Sequence, residues 1–279
     1  MKEIKTRIKS VESTKQITKA MELVASSKFR KAKEKAESTR PYFETLYETV
    51  NDIAKNTSNS NNIFLKNRDV KTVCYIVIAG DRGLAGGYNS NIFKTVQSHS
   101  ASYKNSEVVS IGKRAKESLS KRGFSIFDFI ETVEDANYEE ATRISKEIMK
   151  AFEDGKFDEV NLVYTKFVSA LDQEPQVVKL LPVSVEKENS KKTKASVQYL
   201  PSAESVLGYI IPKYIAGSVY GAICESFASE QAARRTAMES ATDNANEMIS
   251  KLELVYNRAR QAAVTQEISE IVAGAASSQ

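Results

Sequence analysis

Ala241-Thr-Asp-Asn-Ala-Asn-Glu-Met-Ile-Ser-Lys-Leu-Glu-Leu-Val-Tyr-Asn-Arg-Ala-Arg-Gln261 lies inside a longer run, Ala222 to Ala273, that contains neither proline nor glycine. Within it Ala241, Ala245, Met248, Leu252, Val255, Ala259, Ala262 and Gln266 recur at alternating steps of four and three. That is the heptad spacing of a helix burying one narrow stripe against a partner helix. As an α-helix the run makes a rod of roughly 75–80 Å, too long to rest on a globular core along its whole length.

The partner is found at the other end of the chain. From Ile4 to about Lys55 the pattern is again helical, with Ile4, Ile8, Val11, Ile17, Met21 and Val24, then Leu46, Val50 and Ile53, on one stripe. The stripe is thin and its surroundings are charged, so the helix needs a companion along its length. The C-terminal rod is the only comparably long candidate, which predicts a coiled coil of the two termini. Pro41 is expected to kink or interrupt the first helix.

Between these helices the period changes. The polar run 56–62 breaks the first helix, and Val70–Ala79 is an apolar, β-branched run that reads as a buried strand. A helix over 89–103, a strand at 107–111, a helix over 113–122, a strand at 124–132, a helix over 138–153 and a strand at 160–168 follow. A strand between Pro175 and Pro182 (177–183) reads as an edge, and a last short strand is expected at 197–200 beyond a charged loop. Alternating strands and helices imply a mostly parallel sheet covered on both faces. The expected fold is therefore α/β plus coiled coil: an N-terminal helix within 1–62, a Rossmann-like α/β domain at 68–200, and a C-terminal helix within 203–279. Pro212, Gly217 and Gly221 are expected to allow bends before the rod.

Composition narrows the function classes. The 279 residues are 41% hydrophobic and 27% charged, and no run of about eighteen apolar residues is evident that would cross a bilayer. The start, Met-Lys-Glu-Ile-Lys, runs directly into helical periodicity, so no signal peptide is read. Cys74 and Cys224 read as reduced, buried thiols, and His99, the single histidine, as a solvated loop residue. Residues 1–40 carry twelve Lys and Arg against five Glu, a basic face within a chain of net charge +4.

The turn Gly80-Asp-Arg-Gly-Leu-Ala-Gly-Gly-Tyr-Asn89 follows a strand and precedes a helix, where phosphates are often bound. It matches neither Gly-x-Gly-x-x-Gly nor Gly-x-x-x-x-Gly-Lys-Ser/Thr, so it is read alternatively as a tight turn where Asp81 and Arg82 hold an interface. Glu139-Glu140 reads as an exposed pair with no acid/base role. Lys28, Arg30, Lys31, Lys33 and Lys35 form a basic face without interleaved aromatics, which argues against specific nucleic-acid recognition. After Arg260 no positive charge remains, and the apolar end through Gln279 suggests a socket in another chain. A small-molecule enzyme with a coiled-coil dimerisation arm, and a nucleic-acid-binding coiled coil, are the competing readings from the residues alone.

Three groups of motifs then carry a resemblance. Ile-Thr-Lys-Ala-Met-Glu-Leu-Val-Ala-Ser-Ser-Lys at 17–28, Asp81-Arg82-Gly83-Leu84 with Gly86, Gly87 and Asn89, and the C-terminal motifs all occur in family order. The last comprise Ser229-Glu-Gln-Ala-Ala-Arg234, Ala241-Thr-Asp-Asn244, and Leu254-Val-Tyr-Asn-Arg-Ala-Arg-Gln261 running to Glu267. Together they resemble the γ subunit of F-type ATP synthases, in a bacterial form lacking the cysteine-bearing insert of the chloroplast one.

The resemblance implies a non-catalytic central rotor, with no cofactor, metal or catalytic residue. Its coiled coil would stand within three α and three β subunits, and its α/β domain would rest on the c-ring beside ε. It would lie peripherally on the cytoplasmic face of the bacterial plasma membrane and bind no nucleic acid. Arg260 and Gln261 would meet the β catch loop, with Thr265 and Glu267 nearby. Arg234 would lie lower on the shaft, and Lys19, Met21 and Lys28 would face the β levers. Tyr214-Ile-Ala-Gly departs from the family at Ala216 and Gly217, where relatives often carry a polar pair.

Overall fold

The computed structural model describes residues 1–56, 62–134, 136–183, 199–200 and 202–276, with side chains through 273. Helix α1 spans Lys2–Asn56 and helix α5 spans Ala203–Ala276. Between them lie β1 (Thr72–Ile78), α2 (Tyr88–Ser100), β2 (Asn105–Ile111), α3 (Lys113–Lys121), β3 (Ser125–Ile130), α4 (Tyr138–Glu153), β4 (Glu159–Phe167) and β5 (Gln173–Leu181). The element order expected from the period changes is the one observed. The strand expected at 197–200 falls largely outside the described residues, and Tyr199 and Leu200 are not in a strand.

The sheet has the order β3-β2-β1-β4-β5. The first four strands run parallel, and β5 returns antiparallel to β4 as an edge. β1 is apolar at nearly every position because both of its faces are covered, which is why it reads as a continuous run rather than an alternation. On one face Cys74, Ile76, Ile78, Val109, Ile111 and Leu162 join a core with α4 and α5. On the other, Val73, Tyr75, Val77 and Val108 pack against α2 and α3. β5 begins earlier than expected and includes Pro175, whose missing N–H is tolerated on an edge. Helix α4 starts where its sequence says it should. The Asn137 side chain accepts the Glu140 N–H at 2.9 Å, and Glu139 and Glu140 place negative charge at the first turn.

His99 departs from its expected place in a solvated loop. It sits in the last turn of α2, half-buried, with Nδ1 2.8 Å from the hydroxyl of the fully buried Tyr75. Both cysteines are free and buried, and burial pushes each thiol up. Pro41 does not interrupt α1. Packing holds the helix on both sides of it, through Arg40 on Glu225 at 3.2 Å and the Phe43 ring on α5. Helix α5 likewise runs unbroken through Pro212, Gly217 and Gly221. One window of α5, at mean hydropathy 1.2, is apolar enough to cross a bilayer by length and composition, contrary to the reading of the sequence; half of it is buried inside the protein, as in a core helix.

The chain divides into two compact units, one formed by Met1–Ala25 with Arg234–Gln279 and the other by Ser26–Ala233. In the first, the two terminal helices pair through a buried contact between the Thr18 and Thr242 hydroxyls at 2.8 Å. The seam keeps only part of the expected stripe: Ile4, Ile8, Val11 and Met21 on α1 and Ala241, Ala245, Leu252 and Ala259 on α5 are buried or half-buried as expected, and other positions are not. Thr18 and Ala25 are buried whereas Ile17 and Val24 are 59% and 57% exposed. On α5, Thr242, Ala245, Ile249, Leu252, Tyr256, Ala259 and Ala263 face inward, while Met248 and Val255 are 46% and 50% exposed. Thr18, Ala25, Thr242, Ala245 and Ala259 share the stripe with Ile249, Leu252 and Tyr256, while Ile17, Val24, Met248 and Val255 look out.

In the second unit, the buried Glu159 accepts hydrogen bonds from Lys179 Nζ and Asn161 Nδ2, both at 2.8 Å. Burial pushes its carboxyl up, but these two hydrogen bonds together with the charge of Lys179 outweigh that and hold it below the ordinary value. A carboxyl held down in the folded state stabilises the fold above its unfolded pKa, and that contribution is lost as pH falls through the folded one. Glu159→Gln is expected to lower stability by roughly 1–3 kcal/mol at neutral pH. In urea titrations the gap from the parent should close in acid, where both side chains are neutral. A gap independent of pH would contradict this.

Candidate partner-binding surfaces

The turn after β1 leaves the sheet at its topological switch point, where β1 separates β2 from β4 and where open α/β sheets usually bind ligands. Here the chain fills that crevice itself. Thr165, near the end of β4, donates its N–H to the Ser226 hydroxyl oxygen at 3.2 Å and accepts the Ser229 hydroxyl on its carbonyl at 3.1 Å. Tyr88 donates its hydroxyl to the Ser226 carbonyl at 3.0 Å. Glu230 of α5 lies so close to Gly80 that an added Cβ would stand 2.6 Å from its carboxylate. Ser226, Ser229 and Glu230 of α5 thus pack against the ends of β4 and β1. The sequence reading quoted Ser229 and Glu230 only as part of a motif and gave none of the three a role; a run of polar side chains on the otherwise apolar face of α5 was the available signal.

Within the turn, Asp81 and Arg82 have different roles. The Asp81 carboxylate accepts the Val133 N–H at 2.9 Å and the Lys113 N–H at 3.3 Å, so it ties the turn to the ends of β2 and β3. Asn89 closes the loop, accepting the Gly80 N–H at 2.8 Å and donating to the Arg82 carbonyl at 3.2 Å. The side chain of Arg82 is exposed. Beside it Leu84 holds φ at 63° and is 63% exposed. A non-glycine residue in the left-handed region presenting an apolar side chain to water is an arrangement a partner surface would explain. Lys28 joins the same region: its ammonium pairs with Glu134 at 2.5 Å, and the Glu134 N–H lies 3.4 Å from Asp81.

The remaining expected residues lie in the other unit. Lys19 is exposed and pairs with Glu22 at 2.8 Å, a hydrogen bond that raises its pKa, and Met21 is half-buried. Arg234 is buried, at 8% exposure. Arg260, Gln261, Thr265 and Glu267 are all exposed, and the Thr265 hydroxyl returns to the Gln261 carbonyl at 2.9 Å. Counting outward from the Thr18–Thr242 contact in an antiparallel pair, α1 runs out near residue 259, so the rest of α5 has no companion helix in its unit. Val264, Ile268, Ile271 and Val272 are accordingly 47%, 57%, 71% and 62% exposed. Exposed apolar side chains along an unaccompanied helix are what a contact with another molecule would explain.

A family model described as ATP synthase matches residues 1–277. The chain is 47% identical to the sodium-ion-specific ATP synthase gamma chain of Acetobacterium woodii, covering 99% of this chain and 97% of that one. It belongs to the ATP synthase gamma-chain family. The gamma chain of Ruminococcus albus is 50% identical, over 97% and 96% of the two chains, and that of Alkaliphilus metalliredigens 48%, over 99% and 97%. Among solved structures, a chain of the Tetrahymena thermophila mitochondrial ATP synthase central stalk and c-ring aligns with TM-score 0.61 and 25% identity, covering 81% of this chain and 99% of that one. A chain of the Euglena gracilis mitochondrial OSCP/F1/c-ring assembly aligns with TM-score 0.67 and 17% identity, over 97% and 92%, and shares the fold.

Proposed function

We propose that this chain is the central rotor subunit of a bacterial F-type ATP synthase, a non-catalytic member of the complex. The full-length match to gamma chains carries this reading, and the filled switch-point crevice agrees with a subunit that binds no nucleotide of its own. The paired terminal helices act as a shaft inside three α and three β subunits. The α/β domain, about 68–200, acts as a foot on the c-ring beside ε, and the complex lies at the cytoplasmic face of the membrane. The domain limits 1–62, 68–200 and 203–279 follow from this division of labour.

Coupling needs no covalent step in this chain. A rotor biases the β subunits only through the difference in its contact energy with each of their conformations. The outward apolar residues Ile17, Leu23 and Val24, and the unaccompanied end of α5, supply contacts that change as the shaft turns. Arg260 and Gln261 are assigned to the β catch loop, with Thr265 and Glu267 beside them, and Arg234 to a lower level of the shaft. Lys19, Met21 and Lys28 face the β levers, where a basic face guides contact without one fixed geometry. Lys28 reaches that surface with its charge shared by Glu134. Asp81 fastens the turn, which leaves Arg82 as its interface cation.

Native mass of the chain mixed with its α and β subunits is expected to show one copy with three of each; a homodimer indifferent to both would overturn the assignment. In the assembled complex, Arg260→Ala with Gln261→Ala should uncouple ATP turnover from ion pumping or weaken assembly, while circular dichroism shows an intact fold. Unchanged turnover and pumping would remove these residues from the catch-loop contact.

A further inference from the structure

A cleft of about 590 Å³ opens between α1, α5 and the β4–β5 end of the sheet, inside the unit 26–233. Its size falls within the range of small-molecule sites, roughly 300–1,000 Å³. Leu162, Tyr164 and Val178 line its sheet side, and Phe43, Tyr47 and Tyr214 line its helical side. Such walls accept a flat aromatic body.

Charge then limits what that body carries. The cations on the lining are Arg40, Lys166 and Lys179, and the carboxylates are Glu44 and Glu225. Arg40 pairs with Glu225 at 3.2 Å, and that carboxylate, 15% exposed, also accepts the Phe167 N–H at 3.2 Å. Lys179 pairs with Glu159 at 2.8 Å. Lys166 stands opposite Glu174 in the β4–β5 register, and its charge also reaches Glu225. Glu44 is exposed and lies one helical turn from Arg40 on the same face of α1. Every charge on the lining is thus answered by another of this chain. A charged ligand would face its own sign or take a partner from one of these pairs, and breaking a pair away from water is costly. An uncharged ligand leaves them all in place.

The hydroxyl groups supply the remaining feature. Thr39 donates to the Lys35 carbonyl at 3.0 Å, and the Ser218 and Tyr214 hydroxyls bond each other. The Tyr164 hydroxyl lies near Arg40 and Glu225 but makes no hydrogen bond among the described residues. Burial pushes its pKa up to about 12, so at neutral pH it keeps its proton and can donate it. We infer that this cleft binds an uncharged planar aromatic compound bearing a carbonyl-type acceptor, its rings between Phe43 of α1 and Val178 of β5 and its oxygen on the Tyr164 hydroxyl. The cleft is complete in this chain, so the full chain without partner subunits tests it.

The probe is 6-propionyl-2-dimethylaminonaphthalene, an uncharged aromatic ketone whose emission moves to the blue in apolar surroundings. That shift should saturate at one equivalent of chain. Val178→Trp sets an indole in the cleft and should weaken binding about tenfold or more, whereas Ile268→Trp, on the exposed stretch of α5, should not. Tyr164→Phe removes one hydrogen bond and should weaken the ketone about fivefold, while 2-dimethylaminonaphthalene, which lacks the ketone, should bind as before. Neither the anion 8-anilinonaphthalene-1-sulfonate nor the cation thioflavin T should displace the ketone when present in roughly tenfold excess over it. Absence of one-to-one binding, indifference to Val178→Trp, displacement by either ion, or a Tyr164→Phe change that treats the two naphthalenes alike would each overturn the proposal. Val178 is 36% exposed and Tyr164→Phe keeps the ring, so both variants are expected to fold, and thermal melting checks that directly.

Discussion

Gly112→Ala is expected to destabilise the α/β sheet by roughly 4 kcal/mol or more, enough to leave much of this marginally stable fold unfolded. Gly112 joins β2 to α3 with φ at 99°, a backbone region that side chains rarely adopt. An alanine Cβ there would stand 2.0 Å from the Ala79 carbonyl oxygen and 2.9 Å from Val133 Cγ2. Neither neighbour is free to retreat. The Ala79 N–H is held by the Ile111 carbonyl at 3.0 Å, and the Gly112 N–H by the Ile130 carbonyl at 2.9 Å, so relief would break the ends of three adjacent strands. The same movement would disturb the Asp81 carboxylate, which binds the N–H groups of Lys113 and Val133 on either side. Urea denaturation followed by circular dichroism measures the effect; a midpoint equal to the parent's would show that the β2–α3 turn can relax.

How much of this was legible in the sequence depends on what each residue packs against. The α/β alternation was legible because β1 is buried on both faces and α4 carries its own cap at Asn137. The existence of the heptad repeat was legible as well, but its phase only in part: Ala245, Leu252 and Ala259 face inward as expected. Reading the larger apolar residue as the inward one fails at Ile17 against Thr18 and at Val24 against Ala25, and at Met248 the inward place is taken by the neighbouring Ile249. The small side chains of Thr18 and Ala25 let two helices approach closely, and Ile17 and Val24 are left facing outward, where the proposed shaft would meet its housing. A sequence rule that equates apolar with buried assumes that one chain makes the whole structure. The filled crevice was illegible for a related reason. Ser226, Ser229 and Glu230 look like an ordinary polar face of a helix until β4 is brought against them, across about sixty residues of intervening chain.

Gly221→Ala carries the second large effect, and its sign is decided by one ring. Replacing a mid-helix glycine by alanine ordinarily gains about 1 kcal/mol of helix propensity. Here the Phe43 ring of α1 lies across Gly217 and Gly221, one turn apart on α5. A Cβ at Gly221 would meet that ring at 2.6 Å, and a Cβ at Gly217 would meet it at 2.7 Å. The ring has little room to turn aside, since Tyr42 and Tyr220 lie with their centroids 5.4 and 6.4 Å away. Overpacking of this kind costs roughly 1–3 kcal/mol, so Gly221→Ala alone should destabilise. In a Phe43→Leu background the obstruction is smaller and more flexible, and the same glycine change should become neutral or stabilising. The double-mutant cycle should therefore show a coupling of about 2 kcal/mol between two positions far apart in sequence. Additive effects would mean that the ring is not seated on the glycines. A coupled pair has a functional meaning in the proposed rotor. Backbones brought together by two glycines and wedged by one aromatic ring resist sliding of α1 along α5, and that is the motion through which a shaft would lose torque between its foot and its tip. Complexes carrying Gly221→Ala should therefore slip under load, and those carrying the compensated pair should recover coupling along with stability.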